Sequence, residues 1–104
     1  MKAEDWIRQK LEQGHYFLTL HAQAELIEDN FSHEDLVAGL RTGKLIEDYP
    51  EARRGACCLI NGVAMDRRPI HIVCTRGGDT LVVITVYEPT PPKWTSPEER
   101  GRHQ

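Results

Sequence analysis

The hydrophobic period of this chain changes once, at Thr42-Gly43, and that change constrains the fold more than any other feature. Before it, apolar residues recur at helical spacing. After it, apolar and β-branched residues gather in short runs broken by turn residues. Helices followed by strands bury both patterns most simply as an α+β domain, with the helices on one face of an antiparallel sheet. Trp6, Ile7 and Leu11 predict a helix over 3–13, stopped by Gly14. Residues 16–20 are aromatic and β-rich and predict a strand. Residues 21–30 predict a second helix with Ala22 and Leu26, flanked by Ala24 and Ile27, on its apolar stripe. Ser32 and Asp35 have the Ser-x-x-acid form of a capping box, and Leu36, Val37 and Leu40 give a third helix its apolar face. Strands are expected over 44–49, 56–65, 69–76 and 80–87, the second of them bulged at Asn61-Gly62. The expected order is a short helix, then β-α-α-β-β-β-β, with a mostly antiparallel sheet of about five strands.

The last hairpin permits an expectation about faces. Gly77-Gly78-Asp79 is the clearest turn signal in the chain. If it is the turn, Cys74 faces Val82, Ile72 faces Ile84 and Ile70 faces Val86, and this apolar face belongs under the helices. The other face then carries His71, Val73, Thr75, Leu81, Val83, Thr85 and Tyr87, with His71 directly across from Thr85. A one-residue slip would exchange the two faces. Pro89, Pro91 and Pro92 exclude regular structure beyond the last strand, and Trp94 is expected to fold back onto the sheet.

The 104 residues suit one domain, with a core over about 15–88 and a proline-rich polar tail over 89–104. The net charge is −3, which argues against a protein that grips nucleic acid over its whole surface. The charge is uneven: residues 1–50 carry a balance of −5 and residues 51–104 one of +2. A local RNA site on the sheet half remains compatible with that split, and the acidic helical half suits a basic partner segment. The first 13 residues lack the apolar core of a signal peptide, and no run approaches the roughly 18 apolar residues of a membrane span. Cys57, Cys58 and Cys74 form neither a disulfide framework nor a zinc motif, so a cytoplasmic chain with reduced thiols, no membrane contact and no cofactor is expected.

Several residues could carry chemistry. His71, Tyr87, Arg53 and Arg54 supply an imidazole, a phenol and two guanidinium groups. These suit metal-free RNA cleavage, in which the ribose 2′-hydroxyl attacks the adjacent phosphate. His21, at the start of the second helix, is either a second proton-transfer candidate or a buried linchpin bonding the backbone. Arg67 and Arg68 at a hairpin tip, with Thr85, are candidate RNA contacts. Glu25, Glu28 and Asp29 read as a solvated acidic face. For a metal, Glu47, Asp48 and His71 are the nearest set, but no recognised spacing links them and none is expected to bind one. A second reading needs no catalysis: the mixed sheet face of Val73, Leu81, Val83 and Tyr87 would bind a protein partner or a second copy of the chain.

The segments LTLHAQAELIEDNFSHEDLVAGLRTGKLIEDYP and GDTLVVITVYEP, with RRGACCLINGVAMDRRPIHIV between them, resemble a family of small bacterial proteins of unknown function. That family in turn looks similar to the RelE/ParE-like and BrnT-like toxins, a resemblance that would bring with it pairing with zinc-finger antitoxins of the MqsA type. The resemblance implies a RelE/ParE-like fold, a cognate antitoxin as partner and metal-free cleavage of messenger RNA. His21 falls on the family's His-Ala pair, Arg53-Arg54 on a basic pair, and Thr85 and Tyr87 on the closing Thr-x-Tyr. Glu25 and Asp29 depart from the pattern, because family members commonly carry arginines there.

Overall fold

The computed structural model describes residues 1–53 and 55–101. Three helices come first: α1 (Ala3–Gln13), α2 (Leu20–Glu28) and α3 (His33–Thr42), with the short strand β1 (Tyr16–Leu18) between the first two. Four strands follow, β2 (Lys44–Tyr49), β3 (Cys57–Val63), β4 (Pro69–Thr75) and β5 (Leu81–Tyr87). The five-stranded sheet has the order β1-β5-β4-β3-β2 and is antiparallel except where β1 runs parallel to β5. The helices lie on one face, so the fold is α+β as expected from the change of period. No helix among the described residues is long and apolar enough to cross a membrane.

Local chemistry sets the helix ends. Gly14 closes α1 in the left-handed region (φ 72°), where a side chain would be strained. The Thr19 hydroxyl accepts from the Ala22 N–H and so caps α2. Ser32 and Asp35 form the full capping box of α3: the Asp35 N–H donates to the Ser32 hydroxyl (3.0 Å), and the Ser32 N–H donates to the Asp35 carboxylate (2.8 Å). The other Asp35 oxygen accepts from the Met65 N–H (2.9 Å), tying the helix start to the β3–β4 turn. These backbone donors, Ser32 first, hold the Asp35 carboxyl below its ordinary pKa.

The core lies between helices and sheet. Ile7, Leu11, Ala22, Leu26, Phe31, Leu36 and Leu40 meet Cys58, Ile60, Ile70, Ile72, Cys74, Leu81, Val83 and Val86. The helix α3 comes so close to β3 that a Cβ on Gly62 would stand 2.1 Å from the Gly39 carbonyl oxygen. Gly62 is therefore a point of close approach and not the expected bulge; Asn61 and Gly62 pair regularly with His71 and Ile70.

The bulges lie elsewhere, at Ile46 in β2 and Ile84 in β5. The second corrects the expected register. His71 pairs with Tyr87, Ile72 with Val86 and Val73 with Thr85, after which Ile84 is skipped and Cys74 pairs with Val83. The extra residue turns the first half of β5 over, so Leu81 and Val83 are fully buried under the helices while Val82 and Ile84 are only half-buried. The proposed protein-binding face of Val73, Leu81, Val83 and Tyr87 is thus not a surface.

The same region explains Glu25 and Asp29. The short β1 pairs only with Leu81–Val83, which leaves the later part of that β5 edge without a strand. The Thr19 hydroxyl donates to the Ile84 carbonyl (3.0 Å), the Glu25 carboxylate accepts from the Val86 N–H (2.9 Å), and the Asp29 carboxylate accepts from the Glu88 N–H (2.8 Å). These acids are not a solvated face. They pair the backbone that β1 does not reach, and they staple α2 to the sheet.

Candidate active site under the C-terminal hairpin

The face of the sheet away from the helices carries a polar row. Lys44, Asn61, His71 and Tyr87 stand side by side on β2, β3, β4 and β5. The next row holds Glu47, Leu59, Val73 and Thr85, and Tyr49 follows Glu47 along β2. Alternation along each strand places these residues on one face, and the Ile46 bulge keeps Lys44 and Glu47 there together.

The chain beyond β5 returns over this face. Contrary to the expectation from its prolines, it forms a small hairpin of β6 (Trp94–Ser96) and β7 (Glu99–Arg100). Trp94 folds back as expected: it is buried, and its ring meets the His71 ring edge-on at 4.4 Å. The His71 Nε2 donates to the Pro97 carbonyl (2.6 Å), so Nδ1 is the acceptor for the Tyr87 hydroxyl (3.2 Å). Arg100 forks onto Glu47 through two hydrogen bonds of 2.6 and 2.7 Å, and the Tyr49 hydroxyl donates to the same carboxylate. The Glu98 carboxylate takes the Lys44 ammonium (2.9 Å) and the Asn61 amide (3.2 Å). The hairpin thus meets the polar rows through Pro97, Glu98 and Arg100.

Burial and neighbours set the protonation states. His71 is 0% exposed, and burial pulls its pKa below the ordinary imidazole value. The Arg100 guanidinium holds the Glu47 carboxyl low. Burial and the Glu47 carboxylate push Tyr49 up to about 12, and burial raises Tyr87. At neutral pH the face therefore presents a neutral imidazole, an ionised carboxylate and two protonated phenols, with the Arg100 guanidinium as a cation. That set can take a proton, give one and hold an anion.

The structure brings together three of the residues proposed for RNA chemistry, His71, Tyr87 and Thr85. The others lie apart. His21 sits on α2, across the sheet from His71, exposed and beside Glu25 at 3.3 Å. It is not a buried linchpin; Thr19 performs that task. Arg53 is exposed in the β2–β3 loop, beyond Cys57. Cys57 is four residues along β3 from the partner of His71, roughly 13 Å away. Arg54 lies outside the described residues. Arg67 is exposed at the β3–β4 turn. Arg68 turns to the helix side, where it donates to the Asp29 and Asn30 carbonyls (2.8 and 2.7 Å), pairs with Asp66 and Glu88, and lies over the Phe31 ring. It caps the end of α2. Of the expected metal candidates, Glu47 lies on the hairpin side while Asp48 lies at the other face, bound to Arg76 at 2.6 Å.

Sequence reasoning did not select Lys44, Asn61, Tyr49 or Arg100, nor Glu47 except as a metal candidate. Strand alternation from His71 could have found Asn61 and Lys44 once β3 and β2 were registered. Nothing in the local sequence around Arg100 says that it meets Glu47.

No curated protein and no solved structure matches the chain. A family model described as a domain of unknown function (DUF4258) matches residues 18–88. That span runs from the end of β1 to the residue after β5, and so contains α2, α3 and every sheet residue of the site, but not the hairpin. On this match the chain belongs to the DUF4258 family.

Proposed function

We propose that this chain is the toxin of a type II toxin–antitoxin pair, restrained by a cognate protein antitoxin. In this reading it acts in the cytoplasm as a metal-free endoribonuclease. The observation that carries the reading is the row of Lys44, Asn61, His71 and Tyr87 beside Glu47 and Tyr49 on one sheet face. His71, neutral at physiological pH, takes the proton of the ribose 2′-hydroxyl. The 2′-oxygen bonds to phosphorus, the bond to the 5′-oxygen breaks, and Tyr87 protonates the leaving oxygen. Lys44 and Asn61 hold the phosphate, at the place where the Glu98 carboxylate now sits. Substrate enters when the hairpin lifts. Released from Pro97, the imidazole carries its proton on Nδ1, where it donates to the Tyr87 oxygen, and turns the Nε2 lone pair to the 2′-hydroxyl, while the Tyr87 hydroxyl proton is freed for the leaving oxygen.

The test is RNA cleavage by the purified full chain, in the presence of a chelator, with product ends identified. The expected products end in 2′,3′-cyclic phosphate, and expression of the chain arrests growth. His71→Gln and Tyr87→Phe should each lower cleavage by roughly 100-fold or more while the circular dichroism spectrum is kept. A loosened hairpin, made by Arg100→Gln, should cleave faster than the parent. If neither the parent nor Arg100→Gln cleaves RNA, the reading fails.

One observation favours a second reading, a non-catalytic interaction module. Both nitrogens of His71 are engaged and the residue is fully buried. In that case His71 anchors the hairpin, and its replacement lowers stability with no activity to lose.

A further inference from the structure

No strand ladder holds the C-terminal hairpin to the rest of the fold. β6 and β7 form a sheet of their own, separate from the five-stranded one. Their backbone bonds stay inside the hairpin and its approach: the Trp94 N–H donates to the Thr90 carbonyl, and the Gly101 N–H to the Lys93 carbonyl. Among the described residues no backbone–backbone bond joins residues 90–101 to the rest of the chain. Pro89, Pro91 and Pro92 in the approach have no N–H to give. The hairpin is held down by the buried Trp94 ring, by the His71–Pro97 hydrogen bond and by two ion pairs, Arg100–Glu47 and Lys44–Glu98, both partly exposed to water. Asn61 gives its amide nitrogen to Glu98, while its Oδ1 is buried with no hydrogen-bond partner, a cost that water removes once the hairpin lifts.

His71 is at the centre of this contact. It lies on the face away from the helices, where Trp94 and Pro97 of the hairpin cover it. Lifting the hairpin therefore hydrates the imidazole without opening the core between helices and sheet. A hydrated imidazole takes a proton near pH 6.5, to about one unit. In the closed form burial disfavours that proton, and Arg100 and Lys93 oppose it too. Together they outweigh the Pro97 carbonyl and the Glu47 carboxylate, which favour it. The other groups on the face do not compete for a proton in this range. Arg100 holds the Glu47 carboxyl low, Lys44 holds that of Glu98 low, and burial raises the Tyr49 and Tyr87 phenols. β3 brings only the neutral Asn61. We propose that the hairpin is a strap released by acid. It covers the polar face at neutral pH and swings out about residues 89–93 as His71 takes up a proton, while the helices and the five-stranded sheet stay folded. The inference goes beyond the ribonuclease reading and stands without it, since it concerns access to the face and no step of cleavage.

The chain has two tryptophans, Trp94 under the strap and Trp6 on α1, so it carries its own control. The test labels both with fluorinated tryptophan and follows their fluorine resonances in the full chain from about pH 7.5 to about 5. Below about pH 6.5 the Trp94 resonance should move toward its solvent-exposed position, the ratio of open to closed rising by up to about tenfold per pH unit. The Trp6 resonance and the circular dichroism spectrum should stay unchanged, and the His71 ring protons should titrate with the same midpoint as Trp94. His71→Gln should remove the pH dependence of the Trp94 resonance. His21→Gln, at an exposed position across the sheet, should keep it. A Trp94 resonance that stays fixed, one that moves together with Trp6, or one that moves as before in His71→Gln would overturn the proposal. If His71→Gln does not fold, the parent decides: a His71 ring that titrates while Trp94 stays in place overturns it equally. No RNA enters these measurements, so their failure and that of the ribonuclease reading are told apart.

Discussion

Glu25 and Asp29 do for the end of β5 what a longer β1 would have done. Their carboxylates accept the Val86 and Glu88 N–H groups, so removing either leaves a backbone donor without its partner. Glu25→Ala should cost about 1–3 kcal/mol in urea unfolding, and Glu25→Gln, which keeps an acceptor oxygen, clearly less. If the two variants are equally stable, the carboxylate does not serve this bond. His71 carries a pH prediction of definite sign. Its folded pKa is below its unfolded value, so the unfolded chain binds the extra proton first as pH falls. Stability should therefore be full above about 6.5 and decline as pH drops from there toward the lower folded pKa. The melting temperature measured from pH 8 to 5 should fall in that window, and His71→Gln should flatten the profile there. Asp35 works at a lower pH: its depressed pKa contributes stability above about 4 that is lost as pH falls through the folded value.

At the level of elements, the α3 start and the α3–β3 contact can be tested separately. Asp35→Ala removes the capping box and the Met65 bond together, and should lower unfolding free energy by roughly 2 kcal/mol. Gly62→Ala drives a methyl group into the Gly39 carbonyl and should cost about 3 kcal/mol or more, read by thermal melting. A neutral outcome there would mean that the helix moves off the strand without loss. The elements themselves were largely legible. Gly14, the Ser32/Asp35 pair and the turn glycines are local signals, and each acts where its chemistry says. The β5 register was not legible. A bulge depends on which residues of a partner strand are opposite, and Leu81-Val82-Val83-Ile84 is apolar at every position, so alternation within β5 gives no choice of face. The bulge expected at Gly62 fails for a related reason: a glycine in a strand looks the same from sequence whether it bends the chain or admits a helix.

For the whole molecule, the C-terminal hairpin decides whether the polar face is open or closed. Trp94→Ala removes the ring that covers His71 and should lower stability by about 3 kcal/mol, with a matching rise in the solvent exchange of hairpin amides. The sequence by itself determined the class of fold, the caps at Gly14 and Ser32, the turn positions and the separation of an acidic helical half from a mildly basic sheet half; the α2 cap at Thr19, a residue expected within the first strand, it did not. It also placed His71 and Tyr87 on one face, because period-two alternation survives a register shift of two residues. Tertiary structure alone decided that Tyr87, and not Thr85, stands across from His71. It also brought Lys44, Asn61 and Glu47 beside them and sent Arg68 to cap a helix. The physical reason is the range of the interactions. Caps, turns and periodicity are written within a few residues of one another. The bonds from Arg100 to Glu47, from Pro97 to His71 and from Glu25 to Val86 join segments 26 to 61 residues apart, and only the folded sheet sets which groups meet.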